Sequence, residues 1–367
     1  MPFVYFGTDT FKGAAKGIYL SRFNPANGQL TPPTLVAETV RPSFMASAVV
    51  GGRHILYAAN EGSDEHNSGV SAFVIDPANG SLKPLGSVSA GGVGPCYLSV
   101  DGSASAAFVA NYSGSSVTSF KVNKDGTLTQ PVDRINFKQA IFGHHGPNAE
   151  RQEASHPHSA TISPDNRFLV VNDLGNDNIV TFYIHPETAH LGAPHLNEMR
   201  TPGSGPRHIA FHPNGRWAYG VDELSSTVDH YLWNATHGSA STEPVALLTN
   251  AGTSVSTLDP GFHGINTAAE IVVSPDGNTV IVSNRGENSL VVFKIDATSG
   301  AITVSQRIAC GGNAPRQFTL DPTGRWLVCG NQDSASVTVF SRDQNTGHLS
   351  GPQQTVAIES PQMILFA

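Results

Sequence analysis

GVSAFVIDPANGSL, residues 69–82, is an apolar run of period two that breaks at Asp-Pro-Ala-Asn-Gly and resumes with leucine. That pattern spells a strand, a tight turn and the start of the next strand. The same pattern returns as GIYLSRFNPANGQL (17–30), SVTSFKVNKDGTL (116–128), NIVTFYIHPETAHL (178–191), TVDHYLWNATHGSA (227–240), SLVVFKIDATSGAI (289–302) and SVTVFSRDQNTGHL (336–349), seven copies in all.

A second segment precedes most copies: PSFMASAVVGGRHILYAAN, PCYLSVDGSASAAFVAN, PHSATISPDNRFLVVND, PRHIAFHPNGRWAYGVD, AAEIVVSPDGNTVIVSN and PRQFTLDPTGRWLVCGN. Each reads as a short strand, a turn and another strand, so one repeat holds four strands, A to D. Four-stranded units at this spacing specify an all-β fold, a β-propeller. The seventh A–B segment is divided between the chain ends: FVYFGTDTFKG continues from a B strand, and PQMILFA matches a lone A strand. Seven blades closed by one C-terminal and three N-terminal strands leave no unpaired ring edge. Residues 1–367 are therefore expected to form a single propeller domain.

Equivalent C-strand residues (Phe73, Phe120, Phe182, Tyr231, Phe293, Phe340) are spaced by 47, 62, 49, 62 and 47. The surplus falls in INFKQAIFGHHGPNAERQEAS and LLTNAGTSVSTLDPGFHGINT, Gly-rich polar loops before the A strands near His158 and Ala269. In a propeller the D-to-A and B-to-C links share one face, which places both insertions over one mouth of the channel.

Composition narrows the partners. A formal charge of -8, without basic runs, argues against nucleic acid and anionic membrane. The amino terminus shows no leader pattern, and no apolar stretch reaches membrane-spanning length. Cys96, Cys310 and Cys329 are odd in number and lack C-x-x-C spacing, so they read as small buried residues in a cytoplasmic protein.

Aligning the repeats makes distant residues equivalent. Ser43, Cys96, His158, Arg207, Ala269 and Arg316 stand at the mouth end of the A strands; Glu61, Tyr112, Leu174, Glu223, Arg285 and Gln332 follow the B strands. The arginines suit an anionic substrate, and His158 and Glu223 can move protons or orient water. Glu270 either turns inward toward substrate or caps its strand, and Glu223 with Arg285 could instead form a salt bridge between blades. His144, His145, His156 and His263 lack metal-ligand spacing, so neither metal nor cofactor is expected. GGVGP (91–95) opens a strand rather than a helix and is no nucleotide loop.

On HPHSATISPDNRFLVVNDLG, GSGPRHIAFHPNGRWAY, TAAEIVVSPDGNTVIVSNRGENSLVVF and APRQFTLDPTGRWL, the chain resembles the lactonase family of seven-bladed propellers. That family includes bacterial 6-phosphogluconolactonases and fungal carboxy-cis,cis-muconate lactonizing enzymes. The resemblance implies a catalytic set of His158 (in HPH), Arg207 (in GPRH), Glu223 (in VDEL) and Arg285 (in SNRG), with Arg316 and Glu270 as substrate-binding candidates from register. It implies hydrolysis of a sugar lactone, foremost 6-phosphogluconolactone. The alternatives are a muconate-type cycloisomerase and a noncatalytic binding propeller.

Overall fold

The computed structural model describes residues 1–198, 201–239, 242–252 and 254–367. Ala240, which ends the repeat segment 227–240, and Thr253, in the second insertion, lie outside them. The described residues form strands joined by turns, with two 3-10 turns, Ala140–Phe142 and Gln332–Ser334, and no α-helix among them. None of their helices is long and apolar enough to cross a membrane.

Seven antiparallel sheets follow one another along the chain. Six lie within residues 42–89, 95–136, 157–198, 206–256, 267–309 and 315–357; the seventh joins both chain ends. The protein is an all-β, seven-bladed propeller. By internal packing it divides into two compact units, Met1–Pro42 with Ala210–Tyr231 and Ala251–Ala367, and Ser43–Ile209 with Leu232–Asn250.

The first unit contains the clasp. Phe3–Thr8 pairs with Gly17–Asn24 on one side and with Pro361–Phe366 on the other, in the register Tyr5↔Leu20 and Tyr5↔Leu365. Phe3 and Ala367 exchange both backbone hydrogen bonds, at 3.2 and 3.0 Å. Phe6, Phe23, Val328, Val339 and Ile364 bury one another beneath the clasp, so joining the ends removes apolar area from water as well as a free strand edge. A Cβ on Gly7 would lie 2.0 Å from the Pro42 carbonyl oxygen, an approach only glycine permits.

In the second unit Phe108, Val117, Leu169, Val171 and Phe182 form a core that also takes in Phe137 and Phe142 of the first insertion. Those two rings stack at 4.3 Å with an 11° interplanar angle. The insertion thus starts as core structure, although its composition reads as a polar loop. Gly175 lets the same insertion close down: a Cβ there would lie 1.8 Å from the Ala154 carbonyl oxygen.

B strands such as Ala106–Asn111, Phe168–Asp173 and Trp217–Asp222 are buried along their whole length, whereas the D strand Leu82–Ser89 is largely exposed. Several D strands depart from the simple strand-turn-strand expectation. After the turn, Val122↔Leu128 and Ile184↔Leu191 are only single bridges, and the D strands proper are the short Asp133–Asn136 and His195–Glu198. Pro131 and Pro194 intervene, and in the clasp Pro32 and Pro33 separate Gln29–Leu30 from Thr34–Glu38. Proline donates no ladder hydrogen bond and interrupts these outer strands.

Candidate active site

A repeated irregularity in the A strands places the candidate residues. In four of them the pairing slips at one position: Pro95↔Asn111 is followed by Tyr97↔Ala110, Pro157↔Asp173 by Ser159↔Asn172, Pro315↔Asn331 by Gln317↔Gly330, and Thr8↔Pro361 by Gly7↔Met363. The residues left over are Cys96, His158, Arg316 and Gln362. In Thr267–Val273 the slip spans two residues, Ala269 and Glu270, between Ala268↔Asn284 and Ile271↔Val282. Such bulges release a side chain from strict alternation. Cys96, His158, Ala269 and Arg316 hold equivalent places, as the alignment of repeats put them. That alignment omitted the clasp repeat, where Gln362 and Asp9 occupy the two equivalent places.

In the first unit, Arg285 Nη2 donates to Glu223 Oε2 at 2.9 Å and to the Ala268 carbonyl at 3.1 Å. The Glu223 side chain is 3% exposed and that of Arg285 16%, so the salt-bridge alternative is realised, as a buried pair. Taking two charges out of water is costly, and the pair persists through its close geometry and added backbone bonds, with Ala268 N donating back to the Glu223 carbonyl at 3.1 Å. Glu270 is buried and its Oε1 accepts the Ile271 N–H at 3.0 Å. Arg285 and Arg316 both line an open cleft of about 430 Å³. At the clasp, buried Asp9 lies 3.2 Å from Arg41 Nε as an ion pair and accepts from Gln362 Nε2 at 3.2 Å.

In the second unit His158 and Arg207 are both buried. The His158 ring packs edge-on to Tyr112 at 5.4 Å and to His208 at 5.2 Å, and Cys96 Sγ lies 4.0 Å from its Nδ1. Arg207 Nη1 lies 3.3 Å from a ring nitrogen of His208, so this histidine stands between the two sequence candidates. His208 was not singled out beforehand, although it directly follows Arg207. His156 stacks on Tyr112 at 4.2 Å, with Nδ1 3.0 Å from the Tyr112 carbonyl and Nε2 3.0 Å from Glu153. It directly follows the insertion and contacts Glu153 within it.

Asp173 fastens that insertion. Its carboxylate accepts from Ser155 Oγ at 2.6 Å, His156 N at 2.7 Å and Gly175 N at 3.1 Å. Complete burial raises its pKa above the ordinary carboxylate range, against the opposing pull of those donors. All three cysteines are buried free thiols. Among the described residues no three His, Cys, Asp or Glu side chains gather as a metal ion requires.

A family model described as "Lactonase, 7-bladed beta-propeller" matches residues 3–366. A 6-phosphogluconolactonase of Bacillus subtilis is 33% identical over 362 residues, covering 99% of this chain and 97% of its own. Another protein of that name, from Formosa agariphila, is 30% identical over 86% of both chains. The solved structure of a periplasmic gluconolactonase from Pseudomonas aeruginosa superposes with a TM-score of 0.86 at 31% identity, covering 100% of this chain and 98% of that one.

Proposed function

Because the chain belongs to the lactonase family of seven-bladed β-propellers and is a lactone-hydrolysing enzyme, we propose that it opens a sugar lactone, 6-phosphogluconolactone, to the free acid. The observation that carries this reading is the buried Glu223–Arg285 pair beside an arginine-bearing cleft, in a fold whose relatives carry that name. The proposed catalytic residues are His158, Arg207, Glu223 and Arg285.

Hydrolysis of a cyclic ester needs three things: a polarised carbonyl, a water relieved of a proton, and a proton for the ring oxygen as it leaves. A guanidinium N–H serves the first, stabilising negative charge as it develops on the carbonyl oxygen. His158 serves the second and third: it takes the water proton as the C–O bond forms and returns it as the ring C–O bond breaks. Glu223 holds Arg285 in place; its carboxylate is already engaged by a guanidinium, and this favours the imidazole as the base. Arg316 binds the anionic part of the substrate, and Glu270 shapes the A strand beside it.

The test is continuous measurement of acid release from 6-phosphogluconolactone above its spontaneous opening in buffer. Wild type should accelerate it, and His158→Ala and Arg285→Ala should each lower kcat by roughly 10²-fold or more while retaining a cooperative melt. No acceleration by wild type refutes the substrate; unchanged rates in both variants refute the residue assignment. The free thiols support the cytoplasm as the compartment, which cell fractionation checks.

A further inference from the structure

We propose that Tyr112 is a further catalytic residue, its phenol O–H donating to the ring oxygen of the lactone, and that Arg151 is its positioning residue. This rests on the lactonase reading above and adds to it two side chains that the catalytic set does not use. Tyr112 directly follows the B strand Ala106–Asn111, the place that Glu223 takes after Trp217–Asp222, and it is half-buried rather than core. Its backbone N–H donates to the Gly94 carbonyl at 2.8 Å. The ring is held on two sides, face to face on His156 at 4.2 Å and 10°, and edge-on to His158 at 5.4 Å and 80°. His156 is itself tied to the Tyr112 carbonyl and to Glu153. Stacking on so fixed a ring sets the phenol beside the imidazole of His158 before substrate arrives.

Arg151 Nη2 donates to the Tyr112 hydroxyl oxygen at 3.3 Å. A phenol oxygen that accepts from a cation is polarised, and its own proton becomes the stronger donor. Arg151 comes from the first insertion, on a turn that is built rather than loose. Asn148 Oδ1 accepts the Arg151 N–H at 3.2 Å, and the Asn148 carbonyl accepts the Gln152 N–H at 2.7 Å. Buried Gln152 accepts the Asn148 N–H at 3.0 Å and donates from Nε2 to the Leu174 carbonyl at 2.9 Å. A Cβ on Gly146 would lie 2.2 Å from the Gln152 side-chain amide. The residue next to Arg151 is thus tied to the core of the blade that carries His158.

Opening a cyclic ester puts negative charge on two oxygens in turn: the carbonyl oxygen as water adds, then the ring oxygen as the ring C–O bond breaks. The guanidinium answers the first. The second needs a donor close to the group that finally protonates it. The Tyr112 O–H donates a hydrogen bond to the ring oxygen as that bond breaks and keeps its own proton. His158 then delivers to the same oxygen the proton it took from water, which leaves the hydroxy acid, a neutral imidazole and an unchanged phenol.

The experiment measures kcat and KM for 6-phosphoglucono-1,5-lactone in wild type, Tyr112→Phe, Arg151→Met and the double variant, with scanning calorimetry and calorimetric binding of 6-phosphogluconate. Phenylalanine keeps both ring contacts, so Tyr112→Phe should melt within about 2 °C of wild type. Its kcat should fall about tenfold or more, with KM changed less than about threefold. Arg151→Met should lower kcat about threefold in wild type and no further in the Tyr112→Phe background, because its effect passes through the hydroxyl. Wild-type kcat in Tyr112→Phe, or a loss of kcat that comes only with a matching loss of Tm, overturns the catalytic role; an Arg151→Met effect of equal size in both backgrounds overturns the positioning role. The opened product carries a hydroxyl where the ring oxygen was, so 6-phosphogluconate should bind Tyr112→Phe about threefold more weakly. If wild type fails to hydrolyse the lactone while this dependence holds, the lactonase reading falls and the hydrogen bond stands; if binding is indifferent as well, both fall.

Discussion

Removing either partner of the Glu223–Arg285 pair should have unequal consequences. Arg285→Ala leaves the Glu223 carboxylate, 3% exposed, with its cation gone. Breaking a buried pair in this way costs about 3–5 kcal/mol. With an unfolding entropy of about 2.1 cal/mol/K per residue over 367 residues, that is a fall in Tm of about 4–6 °C. Glu223→Ala leaves Arg285, which is 16% exposed and still donates to the Ala268 carbonyl. Its cost is closer to that of one charge-assisted hydrogen bond, about 1.5–3 kcal/mol or 2–4 °C. Glu223→Leu with Arg285→Met removes both charges, and much of the loss should return. Glu223→Gln keeps the shape and one acceptor but loosens Arg285; kcat should drop about 10²-fold while Tm moves by less than about 3 °C. Scanning calorimetry and lactone hydrolysis on the same preparations give both readouts. If Glu223→Ala melts as low as Arg285→Ala, a stranded buried charge is not the cause. If Glu223→Gln keeps wild-type kcat, the pair is a structural tie and the catalytic reasoning fails.

Arg342, 1% exposed, joins Gly324 O, Asp276 and Thr279; Arg342→Met should cost about 2 kcal/mol, seen as a lower urea midpoint, with lactone turnover at 25 °C preserved. At the clasp, Gly7→Ala forces a Cβ against the Pro42 carbonyl oxygen, and a loss of about 1–3 kcal/mol is expected. We propose residues 1–367 as one folding unit, so this variant should shift a single calorimetric transition rather than split it. Asp173 has a raised pKa in the folded state, hence its contribution is fully present below the unfolded value near 3.9 and is lost as pH rises through the higher folded value. Asp173→Asn keeps an acceptor for the insertion backbone, and Asn already fills the equivalent positions 111, 284 and 331. The gap in stability between variant and wild type should therefore grow in the variant's favour as pH rises from 4 to 7 in urea titrations; a constant gap would contradict the assignment.

The propeller was legible because its repeats carry their own punctuation. Asp-Pro-Ala-Asn-Gly at 76–80 and Asp-Gly at 276–277 mark turns whose spacing fixes strand number, and the divided seventh repeat revealed the clasp. Outer strands were harder to read, because a proline such as Pro131 moves the D strand several residues beyond the turn without altering the apolar pattern. The first insertion was misread in part: Phe137 and Phe142 sit among glycines and polar residues, and only contact with Phe182 shows that they are core. Arg342 is the last residue of the strand Ser336–Arg342. Its partner Asp276 is 66 residues away, a separation that no local pattern reports.

The site was legible for a different reason. In a regular strand, neighbouring side chains must alternate between faces, and in a blade both faces of the A and B strands are packed. A residue placed there for chemistry would normally have to serve as core. The bulge lifts that requirement at one position in each of four A strands, and the sheet accepts cysteine, histidine, arginine or glutamine in it. Register alone therefore finds the slot. His208 escaped notice because it lies just past this slot, and Asp9 and Gln362 because their repeat begins at one end of the chain and finishes at the other. Asp9 and Gln362 bond to one another there, as His158 and Cys96 approach within one pair of adjacent A strands. Side chains in the slots thus brace each other, and substitution in one should alter the orientation of its neighbour before it alters the fold.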